Sequence, residues 1–233
     1  MYQKNKFVVK YDDMATKLIY FVRHGETELN LQNVRQGSEG RLTEKGRAQA
    51  LAAANRFPKD GNGPEVIISS PYERTRETAE IIGKELGMPV EYLDLLIERR
   101  NPSQIVGHSG QEKDVKEIVD LMDRSFHPDN MRLADEENFV DLKKRASKLL
   151  DYIKGRGEKK IIMVTHSSFL TMIVSYMLLQ EKLTASEFNE LKYLNPINNA
   201  GIAICVYKSH WFKKDEWKLI TWNDLVQTEE APE

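Results

Sequence analysis

The chain has 233 residues, of which 40% are hydrophobic and 30% charged. Its 34 basic and 36 acidic residues leave a net charge of −2, which excludes the global basic field of a nucleic-acid binder. A lone cysteine, Cys205, excludes an internal disulfide and a cysteine-rich metal site, and no apolar run reaches the roughly 18 residues of a membrane span.

Such a length suits one domain with a sizeable core, spanning residues 1–233. The opening "MYQKNKFVVKYDDM" lacks the apolar stretch of a signal peptide, so the cytoplasm is the expected compartment. Residues 1–13 are expected to be an extension, disordered or an edge strand through "FVVKY". The polar end, 227–233, is expected to fray.

"KLIYFV" (17–22) is apolar without alternation, as in a strand buried on both faces. It ends in Arg23, His24 and Gly25. "LTEKGRAQALAAANRF" (42–57) predicts a helix with Thr43 as N-cap and Glu44 in its first turn. "EVIISS" (65–70) predicts a short strand. "PYERTRETAEIIGKELG" (71–87) predicts a helix opened by Pro71 and closed by Gly87. "MPVEYL" is a short extended segment, and Glu98 is placed at the end of a further strand, "LLI". Residues 99–155 hold two helical patterns, at 112–126 and 137–153, whose apolar sides face inward. No parallel strand lies between them, so a helical excursion over one end of the sheet is expected, placed to act as a lid. "KKIIMVTH" (159–166) repeats the first pattern, a strand ending in a histidine. "SSFLTMIVSYMLLQ" (167–180) predicts a buried helix. "NAGIAICVY" (199–207) and "EWKLITW" (216–222) predict the last strands, with Cys205 as a small buried residue. Trp211, Trp217 and Trp222 are expected to close a core edge. His108, His127 and His210 lack metal-ligand spacing and are taken as surface residues.

This alternation predicts an α/β sheet with helices on both faces. Ligands of such sheets bind beyond the carboxyl ends of the strands. There the sequence places Arg23-His24, Ser69-Ser70, Glu98 and Thr165-His166. Two cationisable groups side by side need something negative between them. Arg23 offers a rigid fork of donors suited to phosphate or carboxylate. A nearby arginine and a second histidine disfavour protonation of His24, which keeps a lone pair. A sharp turn must aim Arg23 and His24 at one site, and Gly25 supplies a permissive backbone for it. A neutral imidazole facing an anion held by arginine is a nucleophile aimed at phosphorus.

"RHGETELN", "SSPYERTRETA", the glutamate of "LLIER" and "VTHSSFL", in that order, resemble the signature of the histidine phosphatase superfamily, also called the phosphoglycerate mutase-like family. The resemblance covers residues 18 to about 207. It implies a three-layer αβα sandwich with a mostly parallel sheet. It also implies that His24 becomes a phosphohistidine while Arg23, Arg74 and His166 hold the phosphoryl oxygens. Asn30 adds a hydrogen bond and Gln36 lies nearby. Arg74 is assigned this role over its neighbour Arg76. Glu98 protonates the leaving oxygen and then takes a proton from water. That role calls for a partly desolvated carboxyl with a raised pKa. No metal or other cofactor is implied, because arginine and histidine supply the positive charge.

Three segments depart from the family pattern. "QGSEGRLT" stands where an Asp and a Pro often precede the first helix. "RRNPSQIVGHSG" replaces a "GxWEG"-like stretch, and "EENF" replaces a "GES"-like one. None touches the phosphoryl clamp, so they bear on the leaving group. The expected partner is a small phosphorylated metabolite, with no nucleic acid and no membrane; a homodimer stays open. Arg41, Arg99, Arg100, Lys113 and Arg132 are placed near the pocket mouth, hinting at a second anionic group. The leading expectation is a phosphomonoester hydrolase. A phosphoglycerate mutase is the first rival, since "ERR" resembles the mutase stretch after the acid. No counterpart of the arginine pair and lysine that mutases carry in the insert is found. A non-catalytic binding protein on this fold is the second rival.

Overall fold

The computed structural model describes residues 16–59, 61–125, 132–212 and 214–225. The expected extension at 1–13, the tail at 227–233 and His127 lie outside these residues.

The central sheet has six strands in the order β3-β2-β4-β1-β5-β6. They are β1 (Thr16–Arg23), β2 (Val66–Ser69), β3 (Val90–Tyr92), β4 (Lys160–Thr165), β5 (Ile202–Lys208) and β6 (Glu216–Asp224). The β1–β4, β4–β2 and β2–β3 pairs are parallel, while β5 and β6 join antiparallel at one side.

The helices are α1 (Glu28–Leu31), α2 (Glu44–Ala54), α3 (Glu73–Leu86), α4 (Lys113–Ser125), α5 (Phe139–Gly155), α6 (Ser167–Leu179) and α7 (Ala185–Leu194). Strand geometry sends successive β1 side chains to opposite faces. Leu18, Tyr20 and Val22 meet Ala53, Ala54 and Phe57 around α2, and Ala79 and Ile82 of α3. Ile19 and Phe21 enter a core with side chains of α5, α6 and α7. This is the expected αβα sandwich. Helix α6 is buried at every position from Phe169 to Met177, because it lies inside that second layer.

Local signals placed most of these elements. Thr43 caps α2 by accepting from the Gly46 N–H. Gly87 closes α3 in the left-handed region, at φ 69°. Four expectations are corrected. Residues 94–96 form a 3-10 turn, so Glu98 follows a turn and not a strand. Helix α5 is part of the main core and not an excursion, whereas α4 packs in a small cluster of its own through Val115 and Met122. Trp217 and Trp222 pack against the core, but Trp211 is 92% exposed. Gly25 has no positive φ; its role is close packing. A Cβ on Gly25 would lie 2.4 Å from the Gly46 carbonyl oxygen, and one on Gly46 would lie 2.1 Å from that of Glu26. The two glycines let the turn after β1 press against α2.

Candidate active site

Parallel register brings the key residues together. Arg23 pairs with Thr165, so His24 and His166 leave adjacent strands at the same level. Ser69 pairs with Val164, which sets Ser70 beside His166. The His24 N–H donates to the Thr165 carbonyl at 3.0 Å, and the Ser70 N–H to the Val164 carbonyl at 3.0 Å. The two imidazole rings lie 5.3 Å apart, centroid to centroid.

His24 is buried, and its Nδ1 lies 2.8 Å from the Gly25 carbonyl oxygen. A carbonyl can only accept, so Nδ1 carries the proton and Nε2 keeps the lone pair. Burial first, then the guanidinium groups of Arg74 and Arg23, hold the His24 pKa well below the ordinary 6.5. Burial and Arg74 do the same to His166. Both rings are therefore neutral at neutral pH. His166 Nε2 pairs with Ser70 Oγ at 2.9 Å, and its Nδ1 is buried with no hydrogen-bond partner.

Arg74 comes from the first turn of α3 and is 2% exposed. Its Nη1 donates to the Gly37 carbonyl at 2.8 Å and the Glu39 carbonyl at 3.3 Å, while Nε has no partner. Burial pushes its pKa down to about 10, so it stays cationic. Arg76 instead lies over the Tyr92 ring, 4.9 Å from its centroid, and does not line the cavity that Arg74 lines. Arg23 donates through Nη1 to the Ile197 carbonyl at 2.6 Å, and its Nε is also buried without a partner.

Both guanidinium groups, His24, Asn30, Gln36 and Glu98 line one cavity of about 210 Å³. These six of the sequence-predicted residues therefore share one cavity wall. His166 stands behind the cavity wall against His24 and does not itself line it. Asn30 is a turn former as well: its Oδ1 accepts from the Thr27 N–H in a capping box, and Asn199 Nδ2 lies 3.4 Å away.

Glu98 is half-buried at the N-terminus of α6. Its Oε1 accepts from the Arg99 N–H at 2.8 Å and the Phe169 N–H at 2.9 Å; Oε2 accepts from the Ser168 N–H at 3.1 Å. Glu98 is thus partly withdrawn from solvent, and backbone N–H groups take the place of water. The segment carrying Glu98 is held by Arg145 of α5, which donates to the carbonyls of Leu95 (3.0 Å), Ile97 (2.7 Å) and Glu98 (3.3 Å). Arg145 is paired with buried Glu137 at 2.6 Å.

The expected mouth residues mostly lie elsewhere. Arg41 pairs with Glu73, Lys113 with Glu117 and Arg132 with Asp141, and none of the three lines the cavity. Arg99 lines it, and Arg100 lines a neighbouring cavity. Sequence reasoning missed Tyr72, whose ring lies 5.3 Å from both the His166 ring and the Arg74 guanidinium carbon. It also missed Arg35, Lys192 and Asn199. The capping box at the start of α7, Thr184 with Glu187, was a signal for the helix that carries Lys192. His108 is exposed beside Glu112, and His210 lies 4.0 Å from Glu216. No cluster of three or more metal-ligating side chains occurs among the described residues.

A neutral, oriented imidazole beside guanidinium groups that have no carboxylate partner is chemically suited to an anionic, phosphoryl-bearing ligand. The chain belongs to the histidine phosphatase superfamily (branch 1), whose family model matches residues 19–225. A mycobacterial glucosyl-3-phosphoglycerate phosphatase shares the fold with a TM-score of 0.70 and 25% identity, over 89% of this chain and 99% of that one. The alpha-ribazole phosphatase of Shigella flexneri has a TM-score of 0.68 at 17% identity, over 89% and 96%. In sequence, a probable phosphoglycerate mutase, GpmB, of Escherichia coli K12 is 45% identical over 73 residues. That match spans 31% of this chain and 33% of the length of the relative.

Proposed function

We propose that the chain is a metal-independent phosphomonoester hydrolase that works through a phosphohistidine on a small phosphorylated substrate in the cytoplasm. The observation that carries this reading is the His24 tautomer. With Nδ1–H committed to the Gly25 carbonyl, Nε2 presents its lone pair beside the cavity that Arg23 and Arg74 line.

In the first step, His24 Nε2 forms a bond to phosphorus and the phosphorus–oxygen bond to the leaving group breaks. Glu98 gives a proton to the departing oxygen. In the second step, water attacks the phosphohistidine, Glu98 takes its proton, and the P–N bond breaks to release phosphate. Arg23 and Arg74 grip the equatorial oxygens, where charge accumulates in the transition state. Buried guanidinium groups already held in place need no reorganisation at that moment. His166, behind the cavity wall, packs against the His24 ring and helps to hold it.

His24→Ala is expected to stay folded and to release no phosphate from para-nitrophenyl phosphate. Equal rates in the variant and the wild type would refute the reading. A second reading, a phosphoglycerate mutase, is favoured by the sequence match to GpmB. A coupled assay with both phosphoglycerate isomers separates the two: a mutase isomerises faster than it releases inorganic phosphate.

A further inference from the structure

Six of the described arginines, Arg41, Arg47, Arg56, Arg132, Arg145 and Arg156, each have a carboxylate partner. Arg23, Arg35 and Arg74 have none among the described residues, and all three line the same cavity. Two of these are the phosphoryl clamp. Arg35 is the third, and the phosphoryl reading does not use it.

Arg35 is firmly placed. Its N–H donates to the His108 carbonyl at 2.9 Å, and its own carbonyl accepts from the Gly107 N–H at 2.8 Å. Val34 bridges Ser109 antiparallel on one side. Its Nε is buried with no hydrogen-bond partner. A guanidinium held on a braced backbone, with a dry unused donor and no counter-charge, is a standing cost unless an anion meets it. Glu98 is the carboxylate among the residues that line this cavity, and the phosphoryl reading already places it on the leaving oxygen. Leu29, Val34, Val119 and Met122 supply apolar surface beside it.

We propose that Arg35 forms a second anion subsite, so that the substrate is a phosphomonoester carrying a further carboxylate or phosphate on its leaving group. The proposal rests on the phosphoryl-clamp reading for the position of the first phosphate. Arg35 lies outside residues 99–155, so this is not the insert-borne arginine and lysine set of the mutases. The guanidinium fork reads either anion by charge-assisted hydrogen bonds.

The test is a binding measurement in the full-length His24→Ala chain, which cannot turn the probes over. Calorimetry compares 3-phosphoglycerate with glycerol 3-phosphate, a pair differing in one carboxylate. It also compares glucose 1,6-bisphosphate with glucose 6-phosphate, a pair differing in one phosphate. At least one doubly anionic probe is expected to bind about tenfold or more tightly than its partner, the scale of one charge-assisted bond. The pair that shows the advantage identifies the second anion. Adding Arg35→Gln should bring that ratio towards one, and Arg35→Lys should keep part of it. Equal affinities within both pairs, or a ratio that Arg35→Gln leaves unchanged, overturn the subsite. Turnover of para-nitrophenyl phosphate by the wild type through a phosphohistidine is measured separately. Its absence sinks the hydrolase reading, whereas its presence with flat binding ratios sinks only the subsite.

Discussion

Replacing Arg74 by methionine keeps an unbranched stem and deletes the charge. Two carbonyls, of Gly37 and Glu39, then lose their donor. At about 0.5–1.5 kcal/mol per bond, the fold loses about 1–3 kcal/mol. For a chain of this size each kcal/mol lowers Tm by about 2–4 °C. The effect on catalysis is larger, because a pre-placed donor to a transition-state oxyanion is worth about 10²–10³ in kcat. Arg74 is also the foremost charged neighbour lowering the pKa of both His24 and His166, so its loss moves both upward. Three measurements follow these effects: thermal melting, kcat/KM on para-nitrophenyl phosphate well below Tm, and histidine titration by NMR. The expected outcome is a folded variant, at least about a hundredfold slower, whose His24 titrates at higher pH. Arg74→Lys should fall between, since one ammonium cannot hold two carbonyls and grip a phosphoryl oxygen as a fork does. A folded Arg74→Met variant within about threefold of wild type would refute the clamp.

Further outcomes follow from the same geometry. Glu98→Gln should slow an alkyl phosphate by about 10²–10⁴ and para-nitrophenyl phosphate much less, since nitrophenolate leaves without a proton; equal losses on both would remove Glu98 from the acid role. Acidification should destabilise the fold. His24 and His166 have folded pKa values well below 6.5, so below that pH the unfolded chain binds more protons. Their contribution is full above pH 6.5 and is lost as pH falls beneath it, by up to about 1.4 kcal/mol per pH unit for each ring. Denaturant melts between pH 7 and 5 should show a steeper loss in wild type than in His24→Gln, and parallel curves would contradict the burial argument. Gly46→Ala places a Cβ 2.1 Å from the Glu26 carbonyl oxygen. It should cost about 1–3 kcal/mol or more and depress activity by shifting the turn that carries His24. Gly155→Ala, with open space at its Cβ, is the control and should be neutral or mildly stabilising in the same melts.

Much of the site was legible because its chemistry sits at the ends of recognisable elements. Apolar runs of period-free β-branched and aromatic residues located β1 and β4, and the polar residues that stop them are His24 and His166. Thr43, Pro71 and Gly87 marked helix ends by local hydrogen bonding and backbone geometry alone. These signals are short-range, so a linear chain carries them. The "LLI" stretch at 95–97 was misplaced because three apolar residues fit a strand or a turn equally well until tertiary contacts choose. The partners of charged side chains were also beyond reach. Arg41, Arg132 and Arg145 look alike in sequence, yet two pair near the surface and the third braces the segment of Glu98 from a buried position.

The sequence by itself determined which residues stand at the strand ends and that a neutral histidine would lie among cations. Only the tertiary structure decided how they meet. The parallel register of Arg23 with Thr165 sets the imidazoles side by side. Carbonyls from remote loops orient the guanidinium groups, and the N-terminus of α6 supplies two of the three donors that solvate Glu98. The physical reason is range. Propensity and capping act over a few residues along the chain, whereas counter-charge, burial and hydrogen-bond partners depend on which distant segments packing brings within about 3 Å.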